Sequence, residues 1–169
     1  MIQRNAALQN IPGHENGLYH PAMFKSLLAH EVNKSRRYGD SLTLVSLFVE
    51  TAPARPEAQN DAELFVMNRL RLELRATDIL CKQDNEFLIL MPSTSAPGAR
   101  TACERIKKHI IADNDGTTLN LSLFIGMASM SVHDSISSEE FSQNAVRALQ
   151  YARAKGLTGV VAFSDTTKK

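Results

Sequence analysis

The chain has 169 residues, of which 43% are apolar and 22% are charged, and its formal net charge is +1. A chain of this length forms one domain around a single core and buries about 70% of its unfolded surface. Because 19 basic residues nearly balance 18 acidic ones, the overall charge argues against a nucleic-acid-binding protein. Function therefore has to be inferred from a site.

Neither a membrane span nor a secretion signal is predicted. No apolar run approaches the roughly 18 residues that a transmembrane helix needs, and residues 1–5 lack the apolar core of a signal peptide. Cys81 and Cys103 have no cysteine or histidine at metal-ligand spacing, which favours reduced thiols over a disulfide or a zinc site. The sequence predicts a cytoplasmic protein with no direct membrane insertion, no metal and no cofactor.

The domain boundaries follow from a change of pattern near the start of the chain. Residues 1–20 are polar and rich in turn formers, which predicts an N-terminal arm. Pro21 suits the first position of a helix, and apolar residues at helical spacing continue to the basic stretch 34–37. We predict one domain over 21–165 and a short tail at 166–169.

A central strand and a second helix come next. The continuous apolar run 42–49 predicts a strand covered on both faces. Prolines in the segment 51–56 predict a connecting loop, because each removes a backbone donor. The second helix is expected over 61–75. Its predicted inward residues are Leu64, Met67, Leu70 and Leu74.

A hairpin and a third helix occupy the middle of the chain. Short strands at 79–82 and 86–91 flank Asp84 and Asn85, two residue types that tolerate positive φ. A helix is predicted over 96–112. Its predicted inward residues are Ala99, Cys103, Ile106 and Ile110.

The remaining elements complete an α+β fold. A strand is predicted over 119–128, and Ser137 with Glu140 has the spacing of a capping box that opens a fourth helix. A last strand is expected at 159–163. The resulting order contains a βαββαβ ferredoxin-like core with an extra N-terminal helix and a C-terminal helix–strand pair.

This element order, together with several short motifs, resembles the GGDEF domain, the module of diguanylate cyclases that makes cyclic di-GMP from two GTP molecules. The resemblance covers about residues 13–164 and implies a nucleotide-cyclase-like α/β sandwich. The motifs that carry it are Gly17-Leu18-Tyr19, Arg37-Tyr38, Arg75-Ala76-Thr77-Asp78, Glu86-Phe87, Ala102-Cys103-Glu104-Arg105-Ile106, Ile125-Gly126 and Ala148-Leu149-Gln150-Tyr151-Ala152 followed by Arg153-Ala154-Lys155-Gly156.

The position that the resemblance assigns to magnesium binding has changed. The family places an Asp-x-Asp segment at the end of the first strand, and Phe48 and Glu50 occupy the two matching positions here. A phenyl ring offers no oxygen ligand to hard Mg²⁺. Period-2 geometry places both side chains on one face of the strand.

The motif that gives the family its name is degenerate as well. Gln83, Asp84 and Asn85 replace the two glycines and their neighbours, and Glu86 keeps an acidic position, in a hairpin that is one residue shorter. The family's guanine-reading loop has no counterpart in the shorter segment 51–60. We therefore predict a catalytically inactive domain with no catalytic residue.

A second site of the family is retained. Many members bind their product at an inhibitory site built from an Arg-x-x-Asp motif and an arginine on the next helix, and Arg75, Asp78 and Arg105 match all three positions. Guanidinium groups can fork onto phosphate or guanine, and a carboxylate can accept from guanine N1 and N2. The resemblance implies a cyclic di-GMP receptor that signals to an unidentified protein partner or as a homodimer.

Plainer interpretations stay open at this point. Arg75 and Asp78 have the spacing of an ordinary surface ion pair, and Arg105 can be a solvated flank of its helix. The fold can serve as a nucleotide-independent interaction or dimerisation module. A residual cyclase or nucleotide hydrolase would use Glu50, Asp84 and Glu86 with a metal.

Overall fold

The computed structural model describes residues 14–15, 17–52, 55–114, 119–131 and 133–167. Within these ranges the chain forms seven strands and five helices. In chain order they are β1 (His14–Glu15), β2 (Leu18–Tyr19), α1 (Pro21–Tyr38), β3 (Leu42–Ala52), α2 (Pro56–Glu73), β4 (Ile79–Gln83), β5 (Glu86–Pro92), α3 (Ala96–Asn114), β6 (Asn120–Met130), α4 (Ser138–Ala154), β7 (Val160–Ala162) and α5 (Phe163–Thr166).

The strands form one mixed sheet in the order β1-β2-β4-β5-β3-β6-β7. β3 lies near its centre and pairs antiparallel with β5 on one side and with β6 on the other. β7 extends the sheet parallel to β6. The predicted α+β fold with its ferredoxin-like core is confirmed.

Helices cover both faces of this sheet. Val45, Leu47 and Val49 of β3 belong to the core beneath α2 and α3, whereas Leu42 and Leu44 belong to the core beneath α1 and α4. Side chains alternate between the faces of a strand, so a strand covered on both sides is apolar at nearly every position. The run 42–49 was predicted as a central strand for this reason.

Local sequence fixes the ends of two helices. Gly39 ends α1 with φ of 78°, and its N–H donates to the Ser35 carbonyl, an ending that favours glycine because of the left-handed conformation. Ser137 precedes α4 and its Oγ accepts from the Glu140 N–H at 3.1 Å. The predicted start of α4 is therefore confirmed.

The connecting loop predicted over 51–56 is wrong at both ends, and residues 53–54 of it lie outside the described residues. β3 continues to Ala52 and α2 already begins at Pro56, because a proline at the first helical position sacrifices no helical hydrogen bond. The inward face of α2 is also corrected. Ala62 and Val66 are buried with Leu70, whereas Leu64 is 53% exposed.

The ends of the domain carry elements that the sequence did not predict. Within the arm expected at 1–20, β1 and β2 pair antiparallel, and Tyr19 pairs in parallel with Cys81 of β4. α5 follows β7 and reaches Thr166. Residues 1–13 of the expected arm and 168–169 of the expected tail lie outside the described residues. In the described part of the chain, no helix combines the length and apolar character required to cross a bilayer.

Candidate functional site

The end of β3 brings an aromatic ring and a cation together. Phe48 is half-buried and pairs with Glu86 of β5 in the strand register. The guanidinium carbon of Arg153, in the last turn of α4, lies 3.8 Å from the centroid of the Phe48 ring. Arg153 therefore contacts the face of the ring in a cation–π interaction.

An open depression of about 350 Å³ lies next to this pair. Its lining residues are Glu50, Phe124, Gln150, Arg153 and Ala154. Glu50 is exposed at its rim, and Glu86 accepts a hydrogen bond from the Ser46 hydroxyl at 3.0 Å.

These residues do not fit the magnesium ion that the resemblance places here. Phe48 supplies no oxygen donor, and the positive charge of Arg153 covers its ring. Mg²⁺ needs several oxygen ligands in octahedral geometry, and the described residues contain no group of three or more His, Cys, Asp or Glu side chains arranged to hold a metal.

The hairpin turn between β4 and β5 is formed as predicted. Asp84 adopts φ of 51° and Gln83, Asp84 and Asn85 are all exposed. Lys82 supports the turn, because its Nζ donates to the Asp84 carbonyl at 2.7 Å. Side chains thus project from the turn where the family has glycines.

A polar network joins the hairpin to α2, and sequence reasoning missed it. Lys82 Nζ lies 3.0 Å from Oε2 of Glu63, which is buried. Gln59 Nε2 donates to Glu63 Oε1 at 3.1 Å and to the Val49 carbonyl at 2.8 Å. The i,i+4 spacing of Gln59 and Glu63 was the available signal, but the helix was expected to begin only at residue 61.

The structure brings Arg75, Asp78 and Arg105 together on the other face of the sheet. Asp78 Oδ2 accepts from the Arg75 N–H at 2.8 Å, which closes a tight turn between α2 and β4. Burial raises the pKa of Asp78 above its usual value, while this hydrogen bond and the charges of Arg75 and Arg105 lower it less strongly. Arg75 and Arg105 are thus close enough for their charges to act on Asp78, although among the described residues neither guanidinium forms an ion pair with it.

Arg105 also contacts a residue that the sequence did not single out. Its Nη2 donates to the Glu73 carbonyl at 3.2 Å, and its Nε lies 3.4 Å from Glu73 Oε2. Arg69 and His109 contact Oε1 of the same carboxylate at 3.4 and 2.7 Å. Glu73 is thus the shared anion of three basic side chains from two helices.

Comparison with known proteins assigns the family. The family model described as "Diguanylate cyclase, GGDEF domain" matches residues 61–158. The chain belongs to the GGDEF domain family. No curated protein sequence matches it.

Solved GGDEF structures share its fold. The GGDEF domain of DgcB from Caulobacter crescentus, in complex with c-di-GMP, has a TM-score of 0.75 at 14% identity over 91% of this chain and 97% of that one. The active GGEEF domain of a diguanylate cyclase from Vibrio cholerae has a TM-score of 0.72 at 12% identity over 84% and 95%. The diguanylate cyclase SiaD from Pseudomonas aeruginosa, in complex with its activator SiaC, has a TM-score of 0.74 at 22% identity. The match covers 94% of this chain and 64% of that one.

In this GGDEF domain the residues around Phe48 and those around Arg105 lie on opposite sides of the sheet. Phe48 and Glu86 are on the face covered by α1 and α4, whereas Arg105 belongs to α3 on the other face. Asp78 and the hairpin turn are at opposite ends of β4, about 20 Å apart at 3.3 Å per residue. A ligand held by Arg75, Asp78 and Arg105 would not occupy the β3 depression.

Proposed function

We propose that this GGDEF domain synthesises no cyclic di-GMP and instead binds it through Arg75, Asp78 and Arg105, signalling its ligand state to a protein partner. The observation that supports the proposal is the nearness of the three matched residues. Arg75 and Asp78 share one turn through a backbone hydrogen bond of 2.8 Å, and Arg105 of α3 is close enough for its charge to act on Asp78. Cyclic di-GMP offers two phosphates and two guanine edges to such a group.

The Phe48–Arg153 pair supports the absence of synthesis. Catalysis of phosphoryl transfer depends on positioned charge, above all on the metal that neutralises the triphosphate. A ring in place of a carboxylate removes a ligand, and an arginine at 3.8 Å from that ring adds a positive charge where the cation would sit. The exposed side chains of the turn at 83–85 crowd the same edge.

Known structures support the other half of the proposal. The C. crescentus DgcB domain was solved with c-di-GMP, and P. aeruginosa SiaD was solved with an activator protein. A nucleotide ligand and a protein partner are therefore both consistent with the fold. A cytoplasmic location fits the free thiols of Cys81 and Cys103.

Calorimetric titration with cyclic di-GMP tests the receptor role. We expect binding heat from the wild type at tens of micromolar ligand, and its loss in Arg75→Ala and Arg105→Ala. Arg147→Ala is the matched control, because Arg147 is an exposed arginine of α4 on the opposite face of the sheet. Absence of heat from the wild type, or equal losses in all three variants, would contradict the proposal.

An activity assay tests the other half. Purified protein is incubated with GTP and Mg²⁺ or Mn²⁺, and nucleotides are separated by chromatography. We expect unchanged GTP. Formation of cyclic di-GMP or of any hydrolysis product that grows with protein concentration would overturn the assignment as a non-enzyme.

A nucleotide-independent interaction module is the second candidate, and exposed apolar side chains favour it. Leu64 and Leu72 of α2 are 53% and 75% exposed, although apolar residues on a helix usually face the core. This candidate predicts self-association or partner binding that cyclic di-GMP does not change. Sedimentation of the wild type and Leu72→Asp with and without ligand distinguishes the two functions.

A further inference from the structure

Glu73 holds one of the arginines that the proposed ligand would use. Arg105 contacts Glu73 twice, through Nη2 at 3.2 Å to the carbonyl and through Nε at 3.4 Å to the carboxylate. Other N–H groups of the guanidinium remain, but one Nη2 hydrogen is occupied by the Glu73 carbonyl, and the carboxylate near Nε repels a phosphate that approaches the same guanidinium. The free domain therefore contains an anion at the place where a ligand anion would act.

Burial determines which partner moves. The Glu73 side chain is 13% exposed, whereas that of Arg105 is 50% exposed. Glu73 ends α2 with its side chain mostly buried, while the long arginine side chain on α3 has solvent to turn into. Displacement would thus release Arg105 and leave Glu73 in place.

Two other basic side chains lower the cost of that displacement. His109 Nδ1 lies 2.7 Å and Arg69 Nη2 lies 3.4 Å from Glu73 Oε1. When Arg105 leaves, Glu73 keeps the His109 hydrogen bond and the Arg69 ion pair, so it does not become a buried charge without a partner, which would be the costly outcome.

From this arrangement we infer that Glu73 is an internal competitor of the ligand phosphate for Arg105 and thereby lowers the affinity of the site. The inference rests on the proposed cyclic di-GMP binding. Glu73 then has a positioning role. It holds Arg105 against α2 in the free state, and a phosphodiester anion replaces Glu73 as the partner of Arg105 when the ligand binds.

Neutralising Glu73 with a matched control tests the competition. In Glu73→Gln the amide still accepts hydrogen bonds but carries no charge, and we expect cyclic di-GMP to bind about twofold to fivefold more tightly, the scale of a partly exposed ion pair. Asp113→Asn is the control, because Asp113 contacts Arg69 at 2.6 Å on the same surface and forms no ion pair with Arg105. Its affinity should match the wild type.

Two outcomes would overturn the inference in this titration. Equal tightening in Glu73→Gln and Asp113→Asn would show that net charge acts rather than competition. Weaker binding by Glu73→Gln would show that Glu73 supports the site. Circular dichroism checks folding, and Glu73→Asp, which keeps the charge on a shorter side chain, serves as the second variant and should also bind more tightly than the wild type.

A ligand-free measurement separates this inference from the proposed function. The Arg105 Nε–H is observable by NMR, and we expect its hydrogen to exchange with solvent faster in Glu73→Gln than in the wild type or in Asp113→Asn. An unchanged exchange rate would show that Glu73 does not hold Arg105 in the free domain. If exchange accelerates while neither wild type nor Glu73→Gln binds cyclic di-GMP, the contact is established and the competition and the proposed function both fail.

Discussion

The guanidinium of Arg153 lies 3.8 Å above the ring of Phe48 and joins the last turn of α4 to the end of β3. A cation over an aromatic face is stabilising when the ring is partly shielded from water. The contact joins two side chains of the chain itself, Phe48 and Arg153. Where the family places a carboxylate for a metal, the chain has a ring that binds its own cation.

A double-mutant cycle measures the Phe48–Arg153 contact. Phe48→Leu and Arg153→Met, singly and together, should give a coupling of about 0.5–1 kcal/mol in urea unfolding. Arg147→Met combined with Phe48→Leu should give no coupling, since Arg153 and not Arg147 is the arginine stacked on that ring. A coupling for Arg153 as small as for Arg147 would show that the stacked geometry contributes nothing.

The ion pair between Lys82 and Glu63 should stabilise the hairpin against α2. Lys82→Met removes the cation 3.0 Å from a buried carboxylate, and we expect a loss of about 1–3 kcal/mol because the remaining charge lacks its partner. Adding Glu63→Gln should restore part of the loss, since a neutral amide no longer needs the cation. Urea unfolding measures both variants, and a double variant less stable than Lys82→Met would refute this account.

Much of the fold could be predicted because the patterns were unambiguous. β3 has an unbroken apolar run, and α4 has a capping serine at the right spacing. The inward face of α2 could not be predicted in this way. Leucines at positions 64, 70, 72 and 74 surround the helix instead of forming one stripe, so the choice between inward and outward residues depended on tertiary packing.

The candidate site was predictable only in its outline. The nearness of Arg75, Asp78 and Arg105 was expected from the family resemblance, and the structure places them together. Glu73 could not be found in the same way, because its contact with Arg105 spans 32 residues and depends on how α2 packs against α3. Locally, Glu73 shows only the i,i+4 spacing with Arg69.

The buried thiols should resist labelling and weaken the fold in alkali. Burial raises the pKa of Cys103 to about 12 and that of Cys81 to about 11, from 9.0. Thiol reagents should therefore react much more slowly at pH 8 in the native protein than in urea.

The raised pKa of these thiols makes the folded protein less stable in alkali. Above pH 9 the unfolded chain loses thiol protons that the folded chain keeps, so stability falls as pH rises from about 9 toward 12. Cys103 alone should lower the free energy of unfolding by about 1 kcal/mol between pH 8 and pH 10. Urea unfolding at both pH values should show a smaller loss in Cys103→Ala, and an identical loss would exclude this thiol as the cause.

The contact between α4 and β6 requires a residue without a side chain at position 126. A Cβ on Gly126 would lie 2.1 Å from the backbone nitrogen of Leu149 and 2.6 Å from the carbonyl oxygen of Ala145. Neither backbone atom can move without shifting the helix that carries Arg153. Gly126→Ala should therefore lower stability by about 3 kcal/mol or more.

Gly159→Ala is the matched control, because nothing lies within 4 Å of its added Cβ. Its stability should stay within about 1 kcal/mol of the wild type, because an alanine mainly restricts the unfolded chain. Thermal and urea unfolding compare the two variants. A Gly126→Ala protein as stable as Gly159→Ala would mean that α4 can move away from β6, and the position of Arg153 over Phe48 would then not be fixed by this packing.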